Sequence, residues 1–301
     1  MNLEMTTAER RGYQQICGDN GLMMVVACDQ RGGMRKVLAD TPEAQAAIDE
    51  KTLGVAKAGI VKHLANKASC ILLDAVCAVP AVVDDGVLSR DTGLLVGLDA
   101  SGWDLDENGY RLSKLVPGVT ARRVRELGGT GAKLMVYLRP DTEGANAHNI
   151  QIIRDCIADF AQEDLLLVVE ILTYRLDGES DEDYRRAFPG LIVESARISL
   201  ELGSKVLKLP FPGTAEACRQ ISELCGIVPW AVLSAGVDHE TFIGQVATAM
   251  ENGASGVIAG RSLWKDCISL DPARHAEGLE TVASTRLGEI QSLLDSHAEP
   301  N

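Results

Sequence analysis

Residues Leu165–Ile171 read LLLVVEI, a short and almost continuously apolar run that is interrupted only by Glu170. The run is too short for a typical helix, and its hydrophobicity does not alternate as it would in a strand with one face in water. The pattern predicts a strand buried on both faces. A single run of this kind also fits a buried turn of helix, whereas recurrence of the pattern along the chain favours strands.

Seven further runs of the same kind occur along the chain. They are Leu22–Cys28, Ser69–Leu73, Gly93–Leu98, Ala132–Leu138, Lys205–Leu209, Trp230–Leu233 and Ser255–Ala259. Stretches with apolar residues three and four positions apart lie between many of them, and these stretches predict helices at Asn146–Ala161, Asp181–Leu202, Thr214–Leu224, His239–Glu251 and Ala273–Leu294. Strands that alternate with helices are typical of a parallel sheet covered by helices.

Eight such strands in about 250 residues fit a closed barrel. We therefore predict an α/β fold, a (β/α)8 TIM barrel that forms a single domain over residues 1–301. A doubly wound open sheet is the alternative, but no G-x-G-x-x-G follows the first strand. Thr7–Cys17 is predicted to form a helix that caps the bottom of the barrel. Asp74–Thr92 leaves room for only a vestigial helix, and Leu98–Gly118 contains Glu-Asn-Gly, which predicts a hairpin turn.

The composition limits the partners of the protein. Its 301 residues are 46% hydrophobic and 24% charged, as in globular proteins, and its net charge of −14 argues against nucleic acid or anionic membranes as partners. The N-terminus is polar, and no apolar stretch approaches the roughly 20 residues of a membrane span. The eight cysteines contain no C-x-x-C pair, which indicates reduced thiols. We expect a cytoplasmic protein.

Four charged residues lie in or directly after different predicted strands. They are Asp29, Lys133, Glu170 and Lys208. For one such charge, a structural ion pair would be the simpler interpretation, because a buried charge is costly unless it is paired. Two lysines and two carboxylates on four strands favour a catalytic site, since the active sites of these barrels lie at the carboxyl ends of the strands.

This set of residues suits Schiff-base catalysis. A lysine must be neutral to attack a carbonyl, and both burial and a neighbouring cation lower its pKa. Lys133 beside Lys208 would provide that cation. Glu170 is the candidate for moving protons to and from the carbonyl oxygen, and Asp29 for accepting the proton of the hydroxyl whose carbon becomes the aldehyde.

Two glycine turns predict a phosphate site. LSAGV and AGR follow the seventh and eighth predicted strands and supply Ser234, Gly236, Gly260 and Arg261. The loops after these two strands commonly bind phosphate in this fold. A small phosphorylated sugar is the expected substrate.

A second anionic group on the substrate would need its own cation. Gln30 and Arg31 directly follow Asp29 and are the candidates, with an Arg31–Asp74 ion pair as the structural alternative. None of the five histidines lies at a strand end, and no H-x-H or H-E-x-x-H spacing occurs. We expect neither a metal nor an organic cofactor.

Eight segments in order along the chain resemble the class I tagatose-1,6-bisphosphate aldolases and the related sulfofructosephosphate aldolases. They are ACDQRGGMRKVL (27–38), CILLD (70–74), DTGLLVGLDASGWD (91–104), GAKLMVYLRPD (131–141), VVEILTY (168–174), SKVLKLPFP (204–212), PWAVLSAGV (229–237) and NGASGVIAGRSLWKD (252–266). The resemblance implies that Lys208 forms the Schiff base and that Glu170, Lys133 and Asp29 assist it. The chain departs from the family at Leu209–Pro212 and Ala75–Cys77, which concerns the substrate more than the reaction.

The resemblance implies a homo-oligomeric, metal-independent aldehyde-lyase. It would cleave a ketohexose 1,6-bisphosphate into dihydroxyacetone phosphate and glyceraldehyde 3-phosphate. The segments LLVGLDASGWD and EILTY favour this substrate over 6-deoxy-6-sulfofructose 1-phosphate, which would give sulfolactaldehyde. Two other functions stay open: a phosphosugar isomerase with Glu170 as the base, and a regulator that binds sugar phosphates without turnover.

Overall fold

The computed structural model describes residues 4–142 and 146–298, and its eight long strands are parallel and close into a barrel. The strands are β1 (Met23–Cys28), β2 (Cys70–Asp74), β3 (Gly93–Gly97), β4 (Gly131–Tyr137), β5 (Leu166–Leu172), β6 (Leu207–Pro210), β7 (Trp230–Leu233) and β8 (Gly256–Ala259). Each strand pairs with its neighbours in sequence, and β8 pairs with β1 through Gly256–Ala259 and Met23–Val26. The predicted barrel is confirmed, and the open sheet is excluded because the first and last strands are hydrogen-bonded.

Helices surround the barrel. The α-helices are Thr7–Ile16, Gly32–Leu38, Pro42–Ala47, Glu50–His63, Ala78–Asp84, Ala121–Glu126, Ala147–Gln162, Asp181–Glu201, Ala215–Cys225, His239–Glu251, Arg261–Trp264, Pro272–Gly278 and Ser284–Ser296. A 3-10 turn covers Ala65–Lys67, and a π-helical turn, Leu279–Ala283, joins the last two helices. The five longer predicted helices, four between strands and one after β8, are present with ends shifted by at most two residues, although the last is interrupted by the π turn. The short helix predicted after β2 is Ala78–Asp84.

The side chains of each strand alternate between two apolar cores. On β5, Leu166 and Val168 belong to the core inside the barrel, whereas Leu167 and Val169 pack between the strands and the helices. This alternation is the two-residue period of a strand. Glu170 continues the inward series, so a carboxylate occupies the next interior layer toward the carboxyl end of the barrel.

The two ends of the barrel are covered differently. At the amino end, Ile16 of the first helix packs into the interior core, and the helix contacts β1, β3 and β5. At the carboxyl end, Asp104–Leu105 and Arg111–Leu112 pair antiparallel, as the Glu-Asn-Gly turn predicts. Residues 1–3, 143–145 and 299–301 of the predicted domain lie outside the described residues.

Candidate active site

Lys133 lies at the centre of a buried charge cluster. It is the third residue of β4, and its ammonium contacts three carboxylates: Asp99 Oδ1 at 2.5 Å, Asp29 Oδ2 at 2.7 Å and Glu170 Oε2 at 3.3 Å. Only 2% of the Lys133 side chain is exposed, so these carboxylates replace the water that the charge has lost. Lys133 is therefore held as an ion by its surroundings.

Lys208 has a different environment on the other side of Glu170. It follows Val206, which belongs to the interior core, by two residues, so its side chain also enters the barrel. Its ammonium donates to Glu170 Oε2 at 2.8 Å, and this is its one ion pair among the described residues. Because both lysines bind the same oxygen, their nitrogens are at most about 6 Å apart. The structure thus brings together the two lysines and two carboxylates predicted from the sequence.

The charges shift the pKa values of the cluster in opposite directions. Burial acts to raise the pKa of Asp29, but the Lys133 and Lys208 ammoniums outweigh it and lower this pKa to about 2. Burial raises the pKa of Asp99, and the neighbouring Asp29 and Glu170 charges add to that effect, so Asp99 takes up a proton more readily. Burial acts to lower the pKa of Lys133, but its three carboxylates raise it well above the ordinary value. Lys133 is therefore unsuited to act as a neutral nucleophile.

Asp99 was not predicted from the sequence. It follows β3 by two residues and continues the inward series of Leu95 and Gly97. That two-residue period is the signal that would have found it. Gly97 also matters for the cluster, because a Cβ at this position would come within 3.3 Å of Asp29 Cβ. A side chain at position 97 would therefore crowd Asp29.

A cavity of about 160 Å³ opens above the cluster at the carboxyl end of the barrel. Seven of the ten predicted site residues line it: Gln30, Glu170, Lys208, Ser234, Gly236, Gly260 and Arg261. Lys133 and Asp29 are not among the residues that line it. Lys208 therefore faces the cavity, whereas Lys133 faces carboxylates.

The predicted phosphate-binding residues form one wall of the cavity. Ser234 is buried, and its hydroxyl accepts a long hydrogen bond of 3.4 Å from the Gly260 N–H. Arg261 is exposed and donates weakly to the Ala235 carbonyl at 3.3 Å. Gly236 has φ of +84°, and a Cβ there would come within 3.1 Å of the Arg261 guanidinium. Glycine at this position therefore lets the arginine lie against the turn.

Gln30 lines the same cavity and has an unused acceptor. Its Nε2 donates to Asp29 Oδ1 at 3.0 Å, which fixes the orientation of the amide because a carboxylate only accepts. Its Oε1 is buried and has no hydrogen-bond partner among the described residues. A buried acceptor without a donor is costly, so a hydroxyl of a bound molecule would suit this position.

The structure does not bring Arg31 into the cavity. Arg31 is half-buried at the start of the helix Gly32–Leu38, and its side chain has no hydrogen bond or ion pair within residues 4–142 and 146–298. The alternative that Arg31 pairs with Asp74 is wrong. Asp74 instead forms a buried ion pair with Lys57, a residue that the sequence analysis also missed. Lys57 follows Leu53 by four residues on the buried face of its helix, and this helical spacing indicates a buried lysine.

Two features are absent from the described part of the chain. No group of three or more His, Cys, Asp or Glu residues there has an arrangement that could hold a metal ion. None of the helices in that part is both long and apolar enough to cross a membrane.

Comparison with known proteins connects this geometry to a family. Residues 23–266 match the DeoC/LacD family aldolases. A tagatose 1,6-diphosphate aldolase of Listeria innocua is 28% identical over 99% of this chain and 95% of its own. One from Streptococcus agalactiae serotype V is 24% identical over 98% of both chains.

Solved structures share the barrel. An archaeal fructose 1,6-bisphosphate aldolase superposes with a TM-score of 0.60 at 18% identity, over 95% of this chain and all of the other. The fructose-bisphosphate aldolase of Slackia heliotrinireducens gives 0.64 at 17% identity, over all of this chain and 96% of its own. At these identities the likeness concerns the fold. Because the family match spans most of the chain, including every strand of the barrel, this protein belongs to the DeoC/LacD family of aldolases and is a carbon–carbon lyase.

Proposed function

We propose that the protein is a class I aldolase that cleaves a ketohexose 1,6-bisphosphate such as tagatose 1,6-bisphosphate into dihydroxyacetone phosphate and glyceraldehyde 3-phosphate. The unequal surroundings of the two lysines carry the proposal. Lys208 faces the cavity and shares one carboxylate, whereas Lys133 is surrounded by three. Lys208 is therefore the lysine that is placed to attack a bound ketone.

Glu170 is suited to the proton transfers of imine formation. Its Oε2 lies 2.8 Å from Lys208 Nζ, next to the position of the ketone oxygen during attack. As Lys208 adds to the carbonyl, the oxygen gains a proton and finally leaves as water. Glu170 donates the protons for these steps and takes up the proton that the lysine releases.

Asp29 is the acceptor for the cleavage step. The bond between C3 and C4 breaks, its electron pair moves into the iminium to form an enamine, and the C4 hydroxyl becomes the aldehyde. A carboxylate whose pKa is about 2 is a weak base. It suffices here because the hydroxyl proton becomes strongly acidic as its oxygen turns into a carbonyl. Gln30 Oε1 would accept a hydrogen bond from a neighbouring substrate hydroxyl.

The phosphate next to the ketone belongs at the β7–β8 wall in this proposal. Ser234 offers a hydroxyl, Gly236 and Gly260 allow close approach to the backbone, and Arg261 supplies a cation. The loops after these two strands are the common phosphate position in barrels of this type. Arg31 remains a candidate for the anion at the other end of the substrate.

Reductive trapping tests the mechanism. The enzyme is incubated with dihydroxyacetone phosphate, reduced with sodium borohydride and mapped by peptide mass spectrometry. We expect one reduced triose per chain on Lys208, and no label on Lys208→Arg or without the triose. Label on Lys133 would reverse the roles of the two lysines. Absence of label on both would refute the Schiff-base mechanism.

A substrate panel tests the choice of sugar. Tagatose 1,6-bisphosphate, fructose 1,6-bisphosphate and 6-deoxy-6-sulfofructose 1-phosphate are compared with one enzyme preparation. We expect a ketose bisphosphate to have the highest kcat/KM. A tenfold or larger preference for the sulfosugar, about 1.4 kcal/mol of transition-state discrimination, would show that the sulfosugar is the substrate.

A further inference from the structure

A cage of three aromatic rings encloses the Arg111 guanidinium at the mouth of the barrel. Its central carbon lies 3.8 Å from the ring centre of Trp103, 4.6 Å from that of Tyr174 and 5.0 Å from that of Tyr137. The rings also contact one another edge to face, Trp103 with Tyr137 and Tyr137 with Tyr174. Arg111 is half-buried, and no carboxylate of the described residues lies within ion-pair distance of it. Ring faces attract a cation but leave most of its N–H donors unused.

The backbone of Arg111 is fastened independently of its side chain. Its N–H donates to the Tyr174 hydroxyl at 3.1 Å, and its carbonyl accepts from Asn149 Nδ2 at 2.8 Å. Asn149 is fully buried and also donates to the Tyr137 carbonyl at 2.7 Å. The hairpin is thus joined to the ends of β4 and β5 without the guanidinium. Holding the hairpin in place does not explain why a cation occupies the cage.

The cage lies across the barrel mouth from the predicted phosphate wall. Around the closed barrel, β3 is opposite β7 and β4 is opposite β8. The Arg111 hairpin follows β3, and Tyr137 ends β4, whereas Ser234 and Arg261 follow β7 and β8. Tyr137 comes four residues after Lys133 on β4, so it lies above the charged layer on the inward series, and Tyr174 follows the end of β5 by two residues and packs against the Tyr137 ring. A molecule bound at Arg261 with its carbonyl over Lys208 would extend toward Arg111.

We propose that Arg111 binds the second phosphate of the substrate, at the end that becomes the aldehyde. The inference rests on the function proposed above and names the residue that selects a bisphosphate. In a chain with a net charge of −14, an anion needs local cations, and Arg111 adds one to Arg31. A dianionic phosphate gains more from a second cation than a monoanionic sulfonate does. The aromatic rings hold the guanidinium in place before the substrate arrives, which reduces the entropy lost on binding.

Two aldehydes in the condensation direction test this role. Dihydroxyacetone phosphate is combined with glyceraldehyde 3-phosphate or with unphosphorylated glyceraldehyde. We expect Arg111→Gln to lower kcat/KM for the phosphorylated aldehyde at least about tenfold, as loss of a charged hydrogen bond would, and to change that for glyceraldehyde less than about twofold. Arg90→Gln is the matched control. Arg90 is exposed at the other end of the barrel and should leave both values unchanged.

The outcomes separate the two proposals. An equal loss on both aldehydes, or no loss on either, would overturn the role of Arg111 while the wild-type enzyme stays an aldolase. A wild-type enzyme that neither condenses the trioses nor forms the borohydride adduct would overturn the proposed function itself. Arg111→Lys keeps the charge in the cage if the glutamine variant does not fold. It should lose activity on the phosphorylated aldehyde alone, since lysine cannot bind a phosphate through two parallel hydrogen bonds.

Discussion

Lys208 Nζ and Glu170 Oε2 lie 2.8 Å apart at paired positions on β5 and β6. The same Glu170 oxygen lies 3.3 Å from Lys133, so one carboxylate connects the proposed nucleophile to the ion cluster beneath it. Lys133 does not act as a bare neighbouring cation, because its own carboxylates compensate its charge. The proposed role of Lys133 is to hold Asp29 and Glu170 in position, and its charge lowers the pKa of Asp29.

Loss of the Lys133 charge is expected to destabilise the protein. Lys133→Met would remove the ammonium that contacts Asp29, Asp99 and Glu170, and we expect a loss of about 3 kcal/mol in the free energy of unfolding. The double variant Lys133→Met/Asp99→Asn also removes one of the carboxylate charges that repel each other once Lys133 is gone. It should recover at least about 1 kcal/mol of the lost stability. Urea unfolding measures both. Lys114→Met, which breaks a surface ion pair with Asp104, is the control and should change stability by less than about 1 kcal/mol. If the stability losses of Lys133→Met and Asp99→Asn simply add in the double variant, Lys133 and Asp99 are not energetically coupled.

Arg261→Ala is expected to weaken binding of dihydroxyacetone phosphate. Arg261 is exposed, so solvent screens its contact with a phosphate, and we expect a KM about tenfold higher, or about 1.4 kcal/mol. The measurement is the triose phosphate dependence of the condensation rate. Arg219→Ala removes an arginine from a surface ion pair with Glu216 and should not change this KM. If KM stays the same in both variants, Arg261 does not bind this phosphate.

Activity is expected to survive treatment with EDTA. In the proposed mechanism the protonated imine on Lys208 withdraws the electrons of the breaking bond, so the reaction requires no Lewis acid. The cleavage rate is measured after dialysis against the chelator and again after zinc is added. A rate that falls on chelation and returns with zinc would contradict the prediction.

The ion pair between Asp266 and Arg286 is expected to stabilise the protein in a pH-dependent way. It joins the segment after β8 to the last helix through contacts of 2.5 and 2.7 Å. Hydrogen bonding to Arg286 lowers the pKa of Asp266 to about 2 from an ordinary 3.8. A lowered pKa means that the stabilisation is fully present above pH 4 and is lost as the pH falls through 2.

Asp266→Asn tests this linkage. We expect it to lower the melting temperature at pH 7 by a few degrees, corresponding to about 1 kcal/mol or less for a partly exposed pair, and to have little effect near pH 2. Asp91→Asn, on a highly exposed ion pair with Arg90, is the control with no expected change at pH 7. A difference that persists undiminished at pH 2 would show that the carboxylate charge is not the cause.

The hydrophobic pattern predicts most of the fold. Each strand is buried on both faces, so runs such as LLLVVEI stand out from the amphipathic helices around them. The same runs locate the site, because parallel strands in a closed barrel bring all their carboxyl ends to one face. Charged residues on different strands, such as Lys133 and Glu170, therefore had to be neighbours at that face. Asp99 follows from the same period but was overlooked.

Only the tertiary structure decided which carboxylates pair with which lysine. The sequence contained two lysines of equal standing, and only the distances show that Lys133 has three carboxylates and Lys208 has one. Asp74 pairs with Lys57 rather than Arg31 because a helix between β1 and β2 carries Lys57 to it. The Arg111 cage joins rings from positions 103, 137 and 174. Hydrophobic periodicity is local and can be read along the chain, whereas Coulomb and ring contacts depend on separations of a few ångströms between residues far apart in sequence.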